Sequence, residues 1–187
     1  MALINCPECR QRVSHKASTC PGGGHSLKPE EAELHRAAIN SPLGLVEIFA
    51  ADKAIRRVGI GGRGAESAPR AGAPAILSEC CRQLEEYFSG KRSRFDLALD
   101  LQGTEFEQEV WRKLLRIPYG HTASYREIAE AIGRPKALRA VGAANGKNPV
   151  AVIVPCHRVI GRDGRLVGYG GGLWRKKWLL DHEARRG

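Results

Sequence analysis

The chain has 187 residues, 42% of them hydrophobic, and a formal net charge of +10. This length fits one medium domain or two small ones, and the apolar content supports a packed core, which excludes a disordered or fibrous chain. No apolar run approaches the roughly 18–20 residues that span a bilayer. The opening MALINCPECRQ lacks a basic region followed by an apolar stretch, so an intracellular chain without membrane attachment or signal peptide is expected.

Residues 1–30 contain the stretch NCPECRQRVSHKASTCPGGGHSLKP, with Cys6 and Cys9 at C-x-x-C spacing, then Cys20 and two histidines. Two thiolates so spaced on a tight turn share one tetrahedral zinc. The stretch resembles a short zinc ribbon, except that Gly23 stands where a fourth cysteine belongs. Cys6, Cys9, Cys20 and His25 are the candidate ligands of a structural zinc, with His15 as the weaker substitute for His25; the alternative is a decayed ribbon of weak affinity. A segment this poor in apolar residues needs a metal or a docking surface to order it.

Residues 26–37 form a polar connector. SPLGLVEIFA and AIRRVGIGG then read as two strands of a hairpin turning at Asp52–Lys53. PAILSECCRQLEEYFSG places Ile76, Leu77, Cys80, Cys81, Leu84 and Phe88 at helical spacing, so both cysteines read as packing. RFDLALDL is expected to be a further strand. Nothing in residues 36–102 carries evident chemistry, and they form a small α/β support domain.

From Thr104 the pattern turns helical. Thr104 and Glu107 form a capping box ahead of a stripe of Phe106, Val110, Trp111, Leu114 and Leu115. Ser124 and Glu127 repeat the box ahead of Tyr125, Ile128, Ala129 and Ile132. Gly133 ends that helix and Pro135 is expected in the first turn of the next, PKALRAVGAANG. Two short helices across a glycine turn are a helix-turn-helix signature, the second helix carrying Lys136 and Arg139 with Lys147 beyond it. Residues 104–187 hold 16 Lys and Arg against 8 Asp and Glu, whereas residues 31–103 hold 10 of each. That concentration favours a polyanion, and the helix-turn-helix makes it DNA.

VAVIV (150–154) reads as a short buried strand that Pro155 ends, delivering Cys156 to the edge of the core. A thiol there is a nucleophile, a packed side chain or a metal ligand. Its neighbours Asn148, His157 and Glu183 favour chemistry, because an ordinary thiol needs a base near neutrality. Adjacent residues on a strand point opposite ways, however, so His157 reaches Cys156 only through a bend or a water.

PCHRVIG, preceded by NPVAVIV and followed by GYGGGLWRKKWLLDHE, resembles the O6-alkylguanine-DNA alkyltransferases, the methylated-DNA–protein-cysteine methyltransferase family. The resemblance extends back through FEQEVWRKLLRIPYGHTASYREIAEAIGRPKALRAVGAANGKNP. It implies an α+β chain with a ribonuclease H-like support domain over 36–102 and a mainly helical helix-turn-helix domain over 104–187; zinc ribbons are not part of the usual family architecture, so the zinc-ribbon-like residues 1–30 read as an addition. It further implies that Cys156 accepts the alkyl group, His157 deprotonates it through water, and Glu183 orients His157. Asn148 would fix the active-site turn and Tyr125 would supply a proton to the departing guanine oxygen. Arg139 would fill the gap left by the flipped base, with Lys136, Ala137, Ala140, Lys147 and Arg158 against DNA. Val159, Tyr169, Gly170 and Gly171 would line the pocket. Catalysis needs no cofactor on this reading, and the partner is duplex DNA carrying O6-alkylguanine. The protein acts as a cytoplasmic monomer, with cooperative binding along DNA left open. The alternatives are a damage-recognition protein without activity, which would lack the cysteine, and a helix-turn-helix regulator, which would leave Cys156, His157 and Glu183 unused.

Overall fold

The computed structural model describes residues 3–5 (backbone only), 9–14, 20–23, 34–62 and 64–185. Chain contacts divide it into two compact units, Met1–Glu33 and Leu34–Gly187. In the first, β1 (Leu3–Asn5) pairs antiparallel with β2 (Arg12–Ser14), Ile4 opposite Val13. The hairpin loop holds Cys9 and Arg10, the latter in the left-handed region at φ 58°. Cys9 Sγ lies 3.4 Å from Cys20 Sγ, and Cys20 is buried. Of the other expected zinc ligands, Cys6, His25 and His15 lie outside the described residues.

The second unit begins with an antiparallel sheet in the order β3 (His35–Ile39), β4 (Val46–Ala51), β5 (Ala54–Ile60). The β4–β5 hairpin turns at Asp52–Lys53, where the sequence places it. β3 lies within and just beyond the stretch expected as connector. Its first residues, His35 and Arg36, hide the pattern, while Ala37, Ala38 and Ile39 are buried. RFDLALDL is not a strand. It makes one parallel bridge, Leu99 to Ile55, anchored by Ile55 N–H to the Ala98 carbonyl at 2.8 Å. Its alternating apolar residues pack on the core without further ladder contacts.

α1 (Ala75–Phe88) buries Leu77, Cys80, Cys81, Leu84 and Tyr87 against β3, β4 and β5. Each fully buried leucine contributes about 1.5–3 kcal/mol. Burial pushes the Cys81 thiol up to about 11, and Cys80 higher still, so both remain inert thiols. α2 (Glu105–Leu114) and α3 (Tyr125–Ala131) start on capping boxes at Thr104/Glu107 and Ser124/Glu127, each cap worth about 1 kcal/mol. The α2 stripe ends at Leu114; Leu115 faces solvent. α4 (Leu138–Gly146) starts three residues later than expected. Pro135 and Lys136 belong to the turn and Ala137 is the N-cap. The Trp111 indole N–H donates to the Ala144 carbonyl at 2.8 Å and ties α2 to α4.

The VAVIV run is a buried tight turn, not a strand. Val154 N–H bonds the Val150 carbonyl, and Val152 sits at φ 72°, a genuine outlier for a β-branched residue. Such strain costs on the order of 1–3 kcal/mol and persists only where surroundings over-determine it. Here Asn148 does so from both sides, donating to the Val154 carbonyl at 2.8 Å and accepting from Val150 N–H at 3.0 Å. A single 3₁₀ turn, Cys156–Arg158, follows, then β7 (Val159–Ile160), which pairs parallel with β6 (Ala123–Ser124). α5 (Leu173–Ala184) closes the unit. One hydrophobic cluster runs through this unit, from Ile48 in the sheet to Leu179 in α5.

Candidate active site

The β6–β7 pairing sets Ser124 opposite Ile160, which brings the start of α3 beside the 3₁₀ turn. Tyr125, Asn148, Cys156, Tyr169, Gly170 and Gly171 thereby line one cavity of about 580 Å³. Arg57 and Ile60 of β5 complete its wall from the sheet. A larger groove, about 1150 Å³, passes Pro155 and Arg158 but does not include Cys156 among its lining residues.

Cys156 is 6% exposed. Burial raises its pKa; the Asn148 side chain and the charge of Lys176 pull the other way without cancelling it. The resting group is therefore a thiol, and it needs a base.

The neighbouring turn residue, His157, is the candidate. His157 is fully buried and its Nε2 lies 2.8 Å from Glu183 Oε1. Burial draws the imidazole below its ordinary value against the opposing pull of Glu183, so the ring is neutral. A neutral ring facing a carboxylate donates from Nε2, which leaves the Nδ1 lone pair free to accept a proton. Nδ1 has no protein partner among the described residues, and neither do the buried Tyr169 hydroxyl and Asn145 Oδ1. Asn145 and Tyr169 line the same cavity as Cys156, so two of these unengaged atoms belong to a space suited to a ligand, while His157 is not among its lining residues.

Glu183 is the centre of this network. Oε1 accepts from the Tyr87 hydroxyl at 2.7 Å and Arg158 Nη2 at 3.0 Å, and Oε2 accepts from Arg158 Nε at 2.9 Å and Gly120 N–H at 3.2 Å. Burial by itself would raise its pKa; the hydrogen bonds from His157 and Arg158 outweigh it and hold the carboxyl well below the usual range. A charged carboxylate neutralised by Arg158 leaves the imidazole free to stay neutral.

This network corrects two expectations. Arg158 is not a DNA contact: it is buried, pairs with Glu183, and donates from Nη1 to the Ile117 carbonyl at 2.6 Å. The support domain is not chemically silent either, because Tyr87 of α1 reaches Glu183. Val159 is also displaced from its expected place. It is buried behind the cavity, and its carbonyl accepts from Lys176 Nζ at 2.6 Å.

Lys176 is fully buried and bonds the Val167 carbonyl as well, at 2.8 Å. Burial lowers its pKa, with the Cys156 charge opposing. Sequence reasoning missed it. The available signal was its place on the buried stripe Lys176–Leu179–Glu183, where a cation must be paired.

The expected DNA residues divide. Lys136, Arg139 and Ala140 are exposed around the start of α4, and Ala137 is its half-buried N-cap. Lys147 is exposed but pairs with Glu107 at 2.6 Å.

A family profile described as the 6-O-methylguanine DNA methyltransferase DNA-binding domain matches residues 105–185, and the ribonuclease-like domain of the same enzymes matches residues 34–101. A methylated-DNA–protein-cysteine methyltransferase of Mycolicibacterium paratuberculosis is 49% identical over 154 residues, covering 79% of this chain and 90% of the relative. The chain belongs to the 6-O-methylguanine DNA methyltransferase family. Another such methyltransferase, from Mycobacterium tuberculosis, is 58% identical over 113 residues, 60% of this chain and 68% of that protein. The crystal structure of the Mycobacterium tuberculosis O6-methylguanine methyltransferase superposes with a TM-score of 0.74 at 46% identity, covering 83% of this chain and 95% of the other. The Mycobacterium tuberculosis protein in complex with DNA gives a TM-score of 0.73 at 46% identity, covering 81% and 94%. Both methyltransferase profiles start beyond residue 33, so the first unit is an addition to the matched family domains.

Proposed function

We propose that this protein repairs duplex DNA by turning an O6-alkylguanine out of the helix and moving its alkyl group to Cys156, once per molecule. The observation that carries this reading is the Cys156 thiol at the wall of a cavity, backed by the buried His157–Glu183–Arg158 network. A regulator of the helix-turn-helix type has no use for that network.

The cost of extruding the base is a few kcal/mol. The exposed Arg139 at the start of α4 offsets part of it by entering the gap from the minor groove, while Lys136 holds phosphate. The Cys156 proton passes through water to His157 Nδ1, and Glu183 stabilises the imidazolium. The thiolate attacks the alkyl carbon, a C–S bond forms and the C–O6 bond breaks. Its electron pair goes to the guanine oxygen, where the Tyr125 hydroxyl supplies the compensating proton and recovers one from solvent. Burial raises the Tyr125 pKa, with the Cys156 charge adding to it, so the hydroxyl is intact and able to donate. The product thioether has no hydrolytic group beside it, so the reaction ends there. The protein works as a cytoplasmic monomer, on the nucleoid when bound to DNA.

The test is to incubate the protein with duplex DNA carrying a labelled alkyl group on guanine O6. The expected result is one label per molecule, recovered as S-alkylcysteine in the peptide containing Cys156. Repeated turnover, or label elsewhere, overturns the reading.

For the first unit we propose a structural zinc held by Cys6, Cys9, Cys20 and His25. The support is the 3.4 Å approach of Cys9 and Cys20, far outside bonding distance for a disulfide and close to the spacing of two thiolates on one zinc at about 2.3 Å each. Elemental analysis of the purified protein is expected to find one zinc per chain, lost in Cys9→Ser. A metal-free native protein would defeat this.

A further inference from the structure

The cavity that takes the guanine on this reading is closed on one side by residues 167–172, a run with glycine at 168, 170, 171 and 172. Gly168 and Gly172 adopt φ of 38° and 89°, and a glycine-rich loop has little conformational preference of its own. Its shape depends on what pins it. Tyr125 donates to the Val167 carbonyl at 3.3 Å and Lys176 donates to the same oxygen. Both belong to the helical half.

A third pin comes from elsewhere. Arg175 Nη1 donates to the Gly171 carbonyl at 2.6 Å, and Nε of the same guanidinium donates to the Leu43 carbonyl at 2.8 Å. Leu43 lies in the turn entering β4, 132 positions away in sequence. The guanidinium also lies over the Trp174 ring, 4.4 Å from its centroid.

Two glycines clear the slot. A Cβ on Gly61 would come within 2.9 Å of Arg175 Nη2 and one on Gly171 within 3.2 Å of its Cδ. No carboxylate pairs with Arg175 among the described residues, so its bonds go to two carbonyls and a ring. A rigid fork bonding two backbone segments fixes their separation, which a flexible lysine does not.

We propose that Arg175 is a positioning residue through which the sheet half sets the shape of the guanine pocket. It touches neither the thiol nor the exposed start of α4. Its work is to hold Gly171, and with it Tyr169 and Gly170, in the binding geometry before substrate arrives. Preorganisation of this kind acts on binding more than on the bond-making step.

The inference rests on the pocket being the site of alkylguanine binding, and the experiment keeps the two apart. Single-turnover transfer from free O6-benzylguanine to Cys156 is measured across substrate concentrations, which leaves DNA binding out. In Arg175→Ala the half-saturating concentration is expected to rise about tenfold, equivalent to about 1.4 kcal/mol, with the limiting rate within about twofold. Arg175→Lys is expected to restore part of the loss. Arg175→Met, which keeps the stem over the Trp174 ring but removes both donors, is expected to raise the same constant as Arg175→Ala does. If Arg175→Ala does not fold, the other two variants decide. An unchanged half-saturation, or a fall confined to the limiting rate, overturns the positioning role. Failure of the unaltered protein to take the alkyl group from duplex DNA carrying O6-alkylguanine would instead sink the functional reading.

Discussion

Glu183→Ala is expected to cost about 3–5 kcal/mol of folding stability, the usual penalty for removing one partner of a buried ion pair. The loss does not come from the carboxylate's own packing. Arg158 stays behind with its charge, bonded only to the Ile117 carbonyl, and the Tyr87 hydroxyl and Gly120 N–H lose their acceptor. For a chain of this size that penalty lowers the melting temperature by roughly 10 °C. Glu183→Gln keeps the volume and isolates the chemistry. Alkyl transfer is expected to slow about 100-fold, because the amide no longer stabilises imidazolium and no longer enforces the tautomer with Nδ1 free. A variant as fast as the parent would remove Glu183 from the reaction.

The pH dependence carries its own sign. His157 has its pKa lowered from 6.5 and acts as the neutral ring, so the transfer rate is expected to hold as pH falls to 6.5 and to decline only below it. Glu183 has its pKa lowered from 4.5, so its contribution to stability is complete above 4.5 and is lost as pH falls through the folded value. The stability gap between the parent and Glu183→Gln, read from urea unfolding, is therefore expected to be constant from pH 7 to 5 and to shrink below 4.5. A gap that widened on acidification would contradict the charged state assigned to this carboxylate.

What the sequence discloses here is mostly what lies within a few residues. The capping boxes at Thr104/Glu107 and Ser124/Glu127 are local hydrogen-bond patterns and form where the residues predict. The Leu77–Cys80–Leu84 stripe and the Asp52–Lys53 turn are equally local. Each failure has a non-local cause. VAVIV is apolar because it is buried, and burial on all sides erases the periodicity that separates a strand from a turn; its actual fold depends on the Asn148 amide. RFDLALDL alternates like a strand but finds a ladder partner only at Ile55. Arg158 and Lys176 sit in the basic half of the sequence, where positive charge reads as DNA affinity, yet both point inward to acceptors. The Tyr87–Glu183 bond joins residues 96 positions apart, beyond any window of spacing. Cys156 and His157, the proposed nucleophile and base, stand out through their motif, whereas the network around them is assembled by packing.

Arg139→Ala separates base extrusion from chemistry, and is expected to slow transfer from duplex DNA about 100-fold. The figure follows from the few kcal/mol needed to unstack and unpair a nucleotide, of which the side chain proposed to insert would offset a part. Arg139 is exposed in the first turn of α4 and has no side-chain partner among the described residues, so its removal leaves no buried group unsatisfied and the fold intact. Transfer from free O6-benzylguanine, which needs no extrusion, is expected to stay within about twofold of the parent. Lys136→Ala provides the contrast. As a phosphate contact its loss weakens binding to damaged and undamaged duplex alike, and reduces the slope of log affinity against log salt by about one. Were Arg139→Ala to behave as Lys136→Ala does, Arg139 would be a phosphate contact and another group would have to fill the gap. Were it to lose activity equally on duplex and free base, its effect would lie in the pocket, and α4 would not be the element that opens the helix.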